Sequence, residues 1–265
     1  MRTSIVDLQL MQERGEKIAM LTCYDSSFAR VLEQAGVDAL LIGDSLGMVV
    51  QGHDSPLPVS IADVAYHTRC VARGAPKAFL LADMPFATAQ ISPEDTFRNA
   101  AELMRAGAQM VKIEGGASMA PTISFLVARG IPVCAHIGLT PQSVHQLGGF
   151  KVQGRNAAMA QQILTDAQAL EQAGAGMILI EAVPRSLADQ ICAQVQVPTI
   201  GIGASPHCSG QVLVIYDMLG LGAYIPPRFV RPFIQETGSI AKAVELYVRE
   251  VKAGQFPGEE HCYGV

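Results

Sequence analysis

Gln109 to Glu114 reads as a short buried strand, yet it carries Lys112 and Glu114, two positions apart, just before Gly115-Gly116. Side chains alternate faces along a strand, so this ammonium and this carboxylate project side by side from its last turn. A buried charge without a partner is costly or neutralises itself. The pair is therefore either an internal ion pair that steadies a barrel mouth or part of a reactive site. Other apolar runs end in the same way. Gly43-Asp44-Ser45, Ala82-Asp83-Met84-Pro85, Ala135-His136 and Ile180-Glu181 each close a strand-like segment with a group that can bind or move a proton. A solvated acid at a loop start would explain any one of them, but the coincidence would have to recur on five successive strands.

Carboxylates gathered in one mouth repel unless a cation holds them or some take up protons. Oxygen donors without a His/Cys cluster favour a hard ion such as Mg²⁺ over zinc. Asp44, Asp83 and Glu114, on three adjacent strands, form the candidate metal group. Glu181, two strands further round, is better placed for proton transfer. Lys112 would neutralise a substrate anion or the charge that develops during reaction. The chemistry that fits is Mg²⁺-assisted removal of a proton next to the carbonyl of a small oxygen-rich anion. His53, His67, His145 and His207 lack metal-ligand spacing and receive no role.

Such side chains need a scaffold that presents strand ends at one face. Amphipathic stretches end in glycine at Ala35-Gly36-Val37, Arg73-Gly74-Ala75, Ala106-Gly107-Ala108, Arg129-Gly130-Ile131 and Ala173-Gly174-Ala175, each followed by an apolar run. Glycine after a helix is the usual left-handed cap, and short wholly apolar runs suit strands of a covered parallel sheet. Ser60-Ile61-Ala62-Asp63 and Ser92-Pro93-Glu94-Asp95 have the spacing of helix starts. Strands are expected at 17–23, 37–43, 77–83, 109–114, 131–136, 176–181, 197–202 and 211–215. Eight β/α units predict an α/β fold of the (β/α)₈ TIM-barrel type with active groups at the C-terminal strand ends. An open doubly wound sheet would carry a Gly-rich turn after its first strand, where Cys23-Tyr24-Asp25 stands instead. Residues 1–265 are expected to form a single barrel domain, with an extra N-terminal helix at 3–14 and a polar tail at 254–265.

Two loops stand out beside these ends. Residues 137–155 form a long connection that could equally be a lid or a surface excursion. Gly201-Ile202-Gly203-Ala204 suits an anion-binding turn or close backbone packing equally well.

Bulk composition agrees with a large core: 49% of the 265 residues are hydrophobic and 16% charged. A formal net charge of −5 and a pI near 5.7 argue against nucleic-acid or anionic-membrane partners. No apolar run approaches membrane-spanning length, and Met1 to Asp7 lacks a signal-peptide pattern. The six cysteines are dispersed without a C-x-x-C pair, as expected of reduced thiols in a cytoplasmic protein. Cys23 and Cys134, inside strand-like runs, read as small core residues.

Several longer stretches resemble the ketopantoate hydroxymethyltransferase family, also called 3-methyl-2-oxobutanoate hydroxymethyltransferase. They are Leu21-Thr22-Cys23-Tyr24-Asp25, Gly43-Asp44-Ser45-Leu46-Gly47-Met48-Val49, Ala82-Asp83-Met84-Pro85-Phe86 and Val111-Lys112-Ile113-Glu114-Gly115-Gly116. Ala135-His136-Ile137-Gly138-Leu139-Thr140-Pro141-Gln142, Glu181-Ala182-Val183-Pro184 and Gly201-Ile202-Gly203-Ala204 complete a match that runs nearly the whole chain in one order. The resemblance implies a (β/α)₈ barrel that moves a one-carbon unit from 5,10-methylenetetrahydrofolate to 3-methyl-2-oxobutanoate, giving 2-dehydropantoate for pantothenate and coenzyme A synthesis. It implies Mg²⁺ held by Asp44, Asp83 and Glu114, directly or through water, and Glu181 as the base that takes the C3 proton. Asp44, Ser45, Asp83, Lys112 and His136 would make up the 2-oxo acid site, and a homodecamer is the implied assembly. After Gly203-Ala204 the family's Gly-x-x-x-Asp-Gly-Gln is replaced by Ser205-Pro206-His207-Cys208-Ser209-Gly210-Gln211, and Tyr216 stands where His is common. The competing readings are a related Mg²⁺ barrel of the phosphoenolpyruvate mutase and isocitrate lyase group, acting on another 2-oxo acid, and an inactive barrel scaffold.

Overall fold

A computed structural model describes residues 2–222 and 226–264. Eight parallel strands close into a barrel in chain order. They are β1 (Ile18–Thr22), β2 (Ala39–Ile42), β3 (Phe79–Asp83), β4 (Met110–Glu114), β5 (Val133–Gly138), β6 (Met177–Glu181), β7 (Thr199–Ile202) and β8 (Gly210–Leu213). Nearly every strand residue is buried, between the barrel interior on one side and helices on the other. That double burial is why the strands read as unbroken apolar runs rather than alternating ones. Cys23 and Cys134 lie in this core.

Strand register aligns the charges. Asp83 of β3 is paired with Lys112 of β4, and Glu114 of β4 with His136 of β5. Paired residues on neighbouring strands share a face, so the four side chains meet without any loop having to bring them together.

Local signals explain the outer helices. A Ser60–Asp63 capping box opens the helix Ile61–Gly74, and Ser92 with Pro93 opens Pro93–Ala106, which ends at left-handed Gly107. Gly74 departs from the expected cap. It is the last residue of its helix, and a Cβ there would collide with the Ser26 backbone, so its small size serves close packing between helices.

The expected N-terminal helix spans Ile5–Glu13 and buries Leu8. Thr3 N–H donates to Lys77 O, Gln109 Nε2 to Thr3 O and Gln12 Nε2 to Val197 O. Those partners precede β3, β4 and β7, so the segment covers the N-terminal end of the barrel and leaves the opposite end free.

Every strand starts or ends a residue or two away from expectation, and three departures have a visible cause. β5 runs on to Gly138 because Ile137 and Gly138 pair with Ile180 and Glu181 of β6. β8 stops at Leu213, where Thr22 Oγ1 accepts the Ile215 N–H at 3.0 Å and a helical turn begins. The stretch 254–265, polar by composition, is anchored: Phe256 and Cys262 are buried and Tyr263 bridges to Pro184. Val265, its last residue, lies outside the described residues. Among the described residues no helix is long and apolar enough to cross a membrane.

The seam between first and last strands is tied by the helix Ile240–Lys252. The buried Tyr247 hydroxyl lies 2.8 Å from Met20 O on β1 and 2.9 Å from Gln211 O on β8, sharing its proton between them. Tyr247→Phe should therefore lower unfolding free energy by about 1–3 kcal/mol, read as an earlier urea midpoint at unchanged slope.

Candidate active site

The open end of the barrel holds a cavity of about 740 Å³. Asp44, Ser45, Asp83, Lys112, Glu114, His136 and Glu181 all line it. The residues singled out from strand ends thus share one chamber.

Lys112 is the hub. Its Nζ lies 3.1 Å from Asp83 Oδ1, 3.7 Å from Glu114 Oε1 and 3.0 Å from His136 Nδ1. His136 spans the next gap, with Nδ1 3.2 Å from Glu114 Oε1 and Nε2 3.1 Å from Glu181 Oε2. Asp83 also accepts the backbone N–H of Asp44 at Oδ2, 2.8 Å away, which fixes the turn after β2.

Gln142 was missed as a site residue. Its backbone N–H donates to Glu114 Oε2 at 3.0 Å, and its side-chain nitrogen donates to Asp44 Oδ2 at 2.7 Å and Met84 O at 2.9 Å. It belongs to a 3₁₀ turn at Pro141–Ser143, so the first part of the 137–155 connection is pinned to the site. Two signals pointed to it: Pro141, which presets the backbone of such a turn, and the family-like stretch Ala135 to Gln142 that Gln142 itself closes. Tyr24, also unassigned from sequence, places its hydroxyl 2.9 Å from Ser45 Oγ. Tyr216, one of the departures from the family pattern, stacks at a tilt on Tyr24 with ring centroids 6.0 Å apart. The other departure is satisfied locally: Ser205 donates to Asp189, and His207 Nδ1 lies 2.9 Å from the same carboxylate.

Backbone geometry also converges on Glu181. Gly138 has φ +88°, and a Cβ there would strike the Glu181 carbonyl, so only glycine lets β5 approach this closely. Ala182, next to Glu181, has φ +45°, a left-handed conformation that costs of order 1–3 kcal/mol outside glycine. It is held by its N–H to Ile202 O and by Gln153 N–H to its own carbonyl. The Gly201-x-Gly203 segment serves close packing, since a Cβ at Gly203 would meet the Phe229 ring.

Burial sets the protonation states. It raises the Asp44 carboxyl well above the ordinary range, reinforced by Asp83 and Glu114 and opposed by Lys112 and Gln142. Burial alone would lower the Lys112 ammonium, but Asp83, Glu114 and Asp44 more than offset that and hold it above its usual value. Glu114 is held low: His136, Lys112 and the Gln142 N–H overcome its desolvation. Burial and Lys112 oppose protonation of His136, whereas Glu114 and Glu181 raise it overall.

A profile of the family described as ketopantoate hydroxymethyltransferase matches residues 2–259. The chain belongs to that family. It is 62% identical over 255 residues to the 3-methyl-2-oxobutanoate hydroxymethyltransferase of Nitrosospira multiformis, covering 96% of this chain and 97% of that one. It is 57% identical over 263 residues to the enzyme of the same name from Thiobacillus denitrificans, covering 99% and 100%. Among solved structures, the barrel is similar to phosphoenolpyruvate phosphomutase from Streptomyces platensis subsp. rosaceus, with TM-score 0.64, 14% identity and 91% and 90% of the two chains covered. Phosphonopyruvate hydrolase in complex with oxalate and Mg²⁺ aligns with TM-score 0.62 at 17% identity, covering 98% and 93%. At such identities the likeness is one of fold.

Among the described residues no three His, Cys, Asp or Glu side chains form a preassembled metal cluster. The donor set nevertheless suits a hard divalent ion. Asp83 Oδ1 and Glu114 Oε1 are buried and receive no aligned hydrogen bond, although cations lie near both. Mg²⁺ commonly takes one or two carboxylate oxygens and keeps several waters, so it does not require three convergent ligands.

Lys112→Met would strand these carboxylates and should cost roughly 3–5 kcal/mol of stability at neutral pH, measured by urea unfolding. The ammonium titrates above its unfolded-state value, so its contribution is complete at neutral pH and is lost only at strongly alkaline pH. The Asp44 carboxyl is shifted upward, so acidification should shrink the variant's deficit as stranded groups take up protons.

Proposed function

We propose that this chain transfers a hydroxymethyl group from 5,10-methylenetetrahydrofolate to 3-methyl-2-oxobutanoate, giving 2-dehydropantoate in pantothenate and coenzyme A synthesis. The observation that carries the reading is the cavity itself: in a chain matched to the family over residues 2–259, it is lined by every chemistry-bearing strand-end residue. Residues 1–265 act as one barrel domain, and the family resemblance extends to a cytoplasmic homodecamer.

Lys112 and the Ser45 hydroxyl receive the anionic end and the oxo group of the keto acid, with Asp83 holding Lys112 in place at 3.1 Å. Asp44, Asp83 and Glu114 would hold Mg²⁺, some of them through water. When bound, that ion draws electrons from the 2-oxo group and acidifies the adjacent C–H. Glu181 takes the C3 proton. Its carboxylate lies 3.1 Å from His136 Nε2, and the constrained Ala182 backbone limits its direction. The carbon nucleophile attacks the methylene carbon of the donor, water supplies the hydroxyl oxygen, and tetrahydrofolate leaves.

Incubation with both substrates and Mg²⁺ tests the reading. Formation of 2-dehydropantoate is expected; cleavage of a four- or six-carbon acid without it would favour the mutase and lyase group instead. Glu181→Gln should slow exchange of the C3 proton into deuterated water, without folate, by roughly 10²-fold. Exchange at the normal rate would remove Glu181 from the base role. Asp83→Asn should weaken Mg²⁺ and keto-acid binding together in calorimetric titrations, and unchanged metal affinity would count against its assignment.

A further inference from the structure

The keto-acid end of the cavity does not use all of it. A volume of about 740 Å³ is in the range that holds a drug-sized ligand, far more than a five-carbon acid needs. The remaining wall includes Ala182, Ile202, Phe229 and Tyr263. Tyr263 comes from the stretch 254–265, polar in composition.

That stretch is fastened at several points. Tyr263 bridges to Pro184, its carbonyl accepts the Arg185 N–H at 2.9 Å, and Arg185 Nη1 pairs with Glu259 Oε1 at 3.1 Å. The Tyr263 ring meets Phe229 edge-on, with centroids 6.5 Å apart. Burial is the main influence raising its hydroxyl, which also accepts from the Arg228 backbone and feels the charges of Glu181, Arg228 and Arg155.

We infer that Tyr263, backed by Phe229, is the binding face for the flat heterocyclic ring of the one-carbon donor. The inference rests on the proposed transfer and names which part of the site takes the second substrate. His136 lies 3.1 Å from Glu181 and 3.0 Å from Lys112, so the residues proposed for the keto acid reach Glu181 through His136. Glu181 takes a proton from C3, and the new carbon–carbon bond forms at that same C3. The donor's methylene must therefore arrive near Glu181 from the side the keto acid leaves open. The aromatic rings of Tyr263 and Phe229, which line the cavity on that side, offer stacking there.

Calorimetric titration with tetrahydrofolate and, separately, with 3-methyl-2-oxobutanoate in the presence of Mg²⁺ tests this. Tyr263→Leu keeps bulk but removes the aromatic face, and should weaken tetrahydrofolate binding roughly tenfold, a loss typical of one stacking partner. Its keto-acid affinity should stay within about twofold of the parent. Tyr263→Phe should bind tetrahydrofolate nearly as the parent does, because the ring carries the interaction. Unchanged folate affinity in Tyr263→Leu, or parallel loss of both ligands, would overturn the inference; the latter would mean that the tail only supports the pocket. Failure of the parent protein to make 2-dehydropantoate would instead sink the proposed transfer, and the folate titrations would still read Tyr263 separately.

Discussion

Charge balance among buried side chains governs this structure. Asp44, Asp83 and Glu114 are buried beside a single ammonium, Lys112, with His136 as the only other group able to carry positive charge among those contacts. Such an arrangement holds together only if charge is shared, protonation is shifted or a cation enters. The Asp44 carboxyl drifts upward while Glu114 is kept ionised, so carboxyl groups in one chamber diverge in character. Glu181, more exposed than the others and reached through His136, lies at the edge of the cluster.

Much of the barrel was legible because its strands are covered on both sides. Double burial turns each strand into a short apolar run, and glycine caps mark where the preceding helices end. Against such runs a charged residue is conspicuous, so Asp83, Lys112, Glu114 and Glu181 stood out without any knowledge of tertiary contacts. Register then did what sequence spacing could not state. It set Asp83 beside Lys112 and Glu114 beside His136, turning a pattern of strand ends into contacts of about 3 Å.

What escaped notice has a common cause. Gln142 is neutral and lies in a loop, and nothing in its neighbourhood breaks a periodic pattern. Its importance comes from three hydrogen bonds to residues 28 to 98 positions away. Tyr263 belongs to a stretch of polar composition, although its contacts are to Pro184 and Arg185, beyond β6, and to Phe229. Gly74 carried the right residue for a cap but serves another purpose, because composition cannot distinguish a need for positive φ from a need for space. In each case the deciding partner is remote in the chain.

The Tyr247 clasp has a bearing on how the molecule is made. Its hydroxyl joins carbonyls on β1 and β8 from a helix 227 positions after Met20. Synthesis proceeds from the N-terminus, so β1 must leave the ribosome and wait for almost the entire remaining chain before its outer edge is matched. Until then that edge offers unpaired backbone groups to any extended segment nearby. Closure of the ring is thus a late event in the life of each nascent chain, and the interval before it is when this protein is most exposed to misassembly.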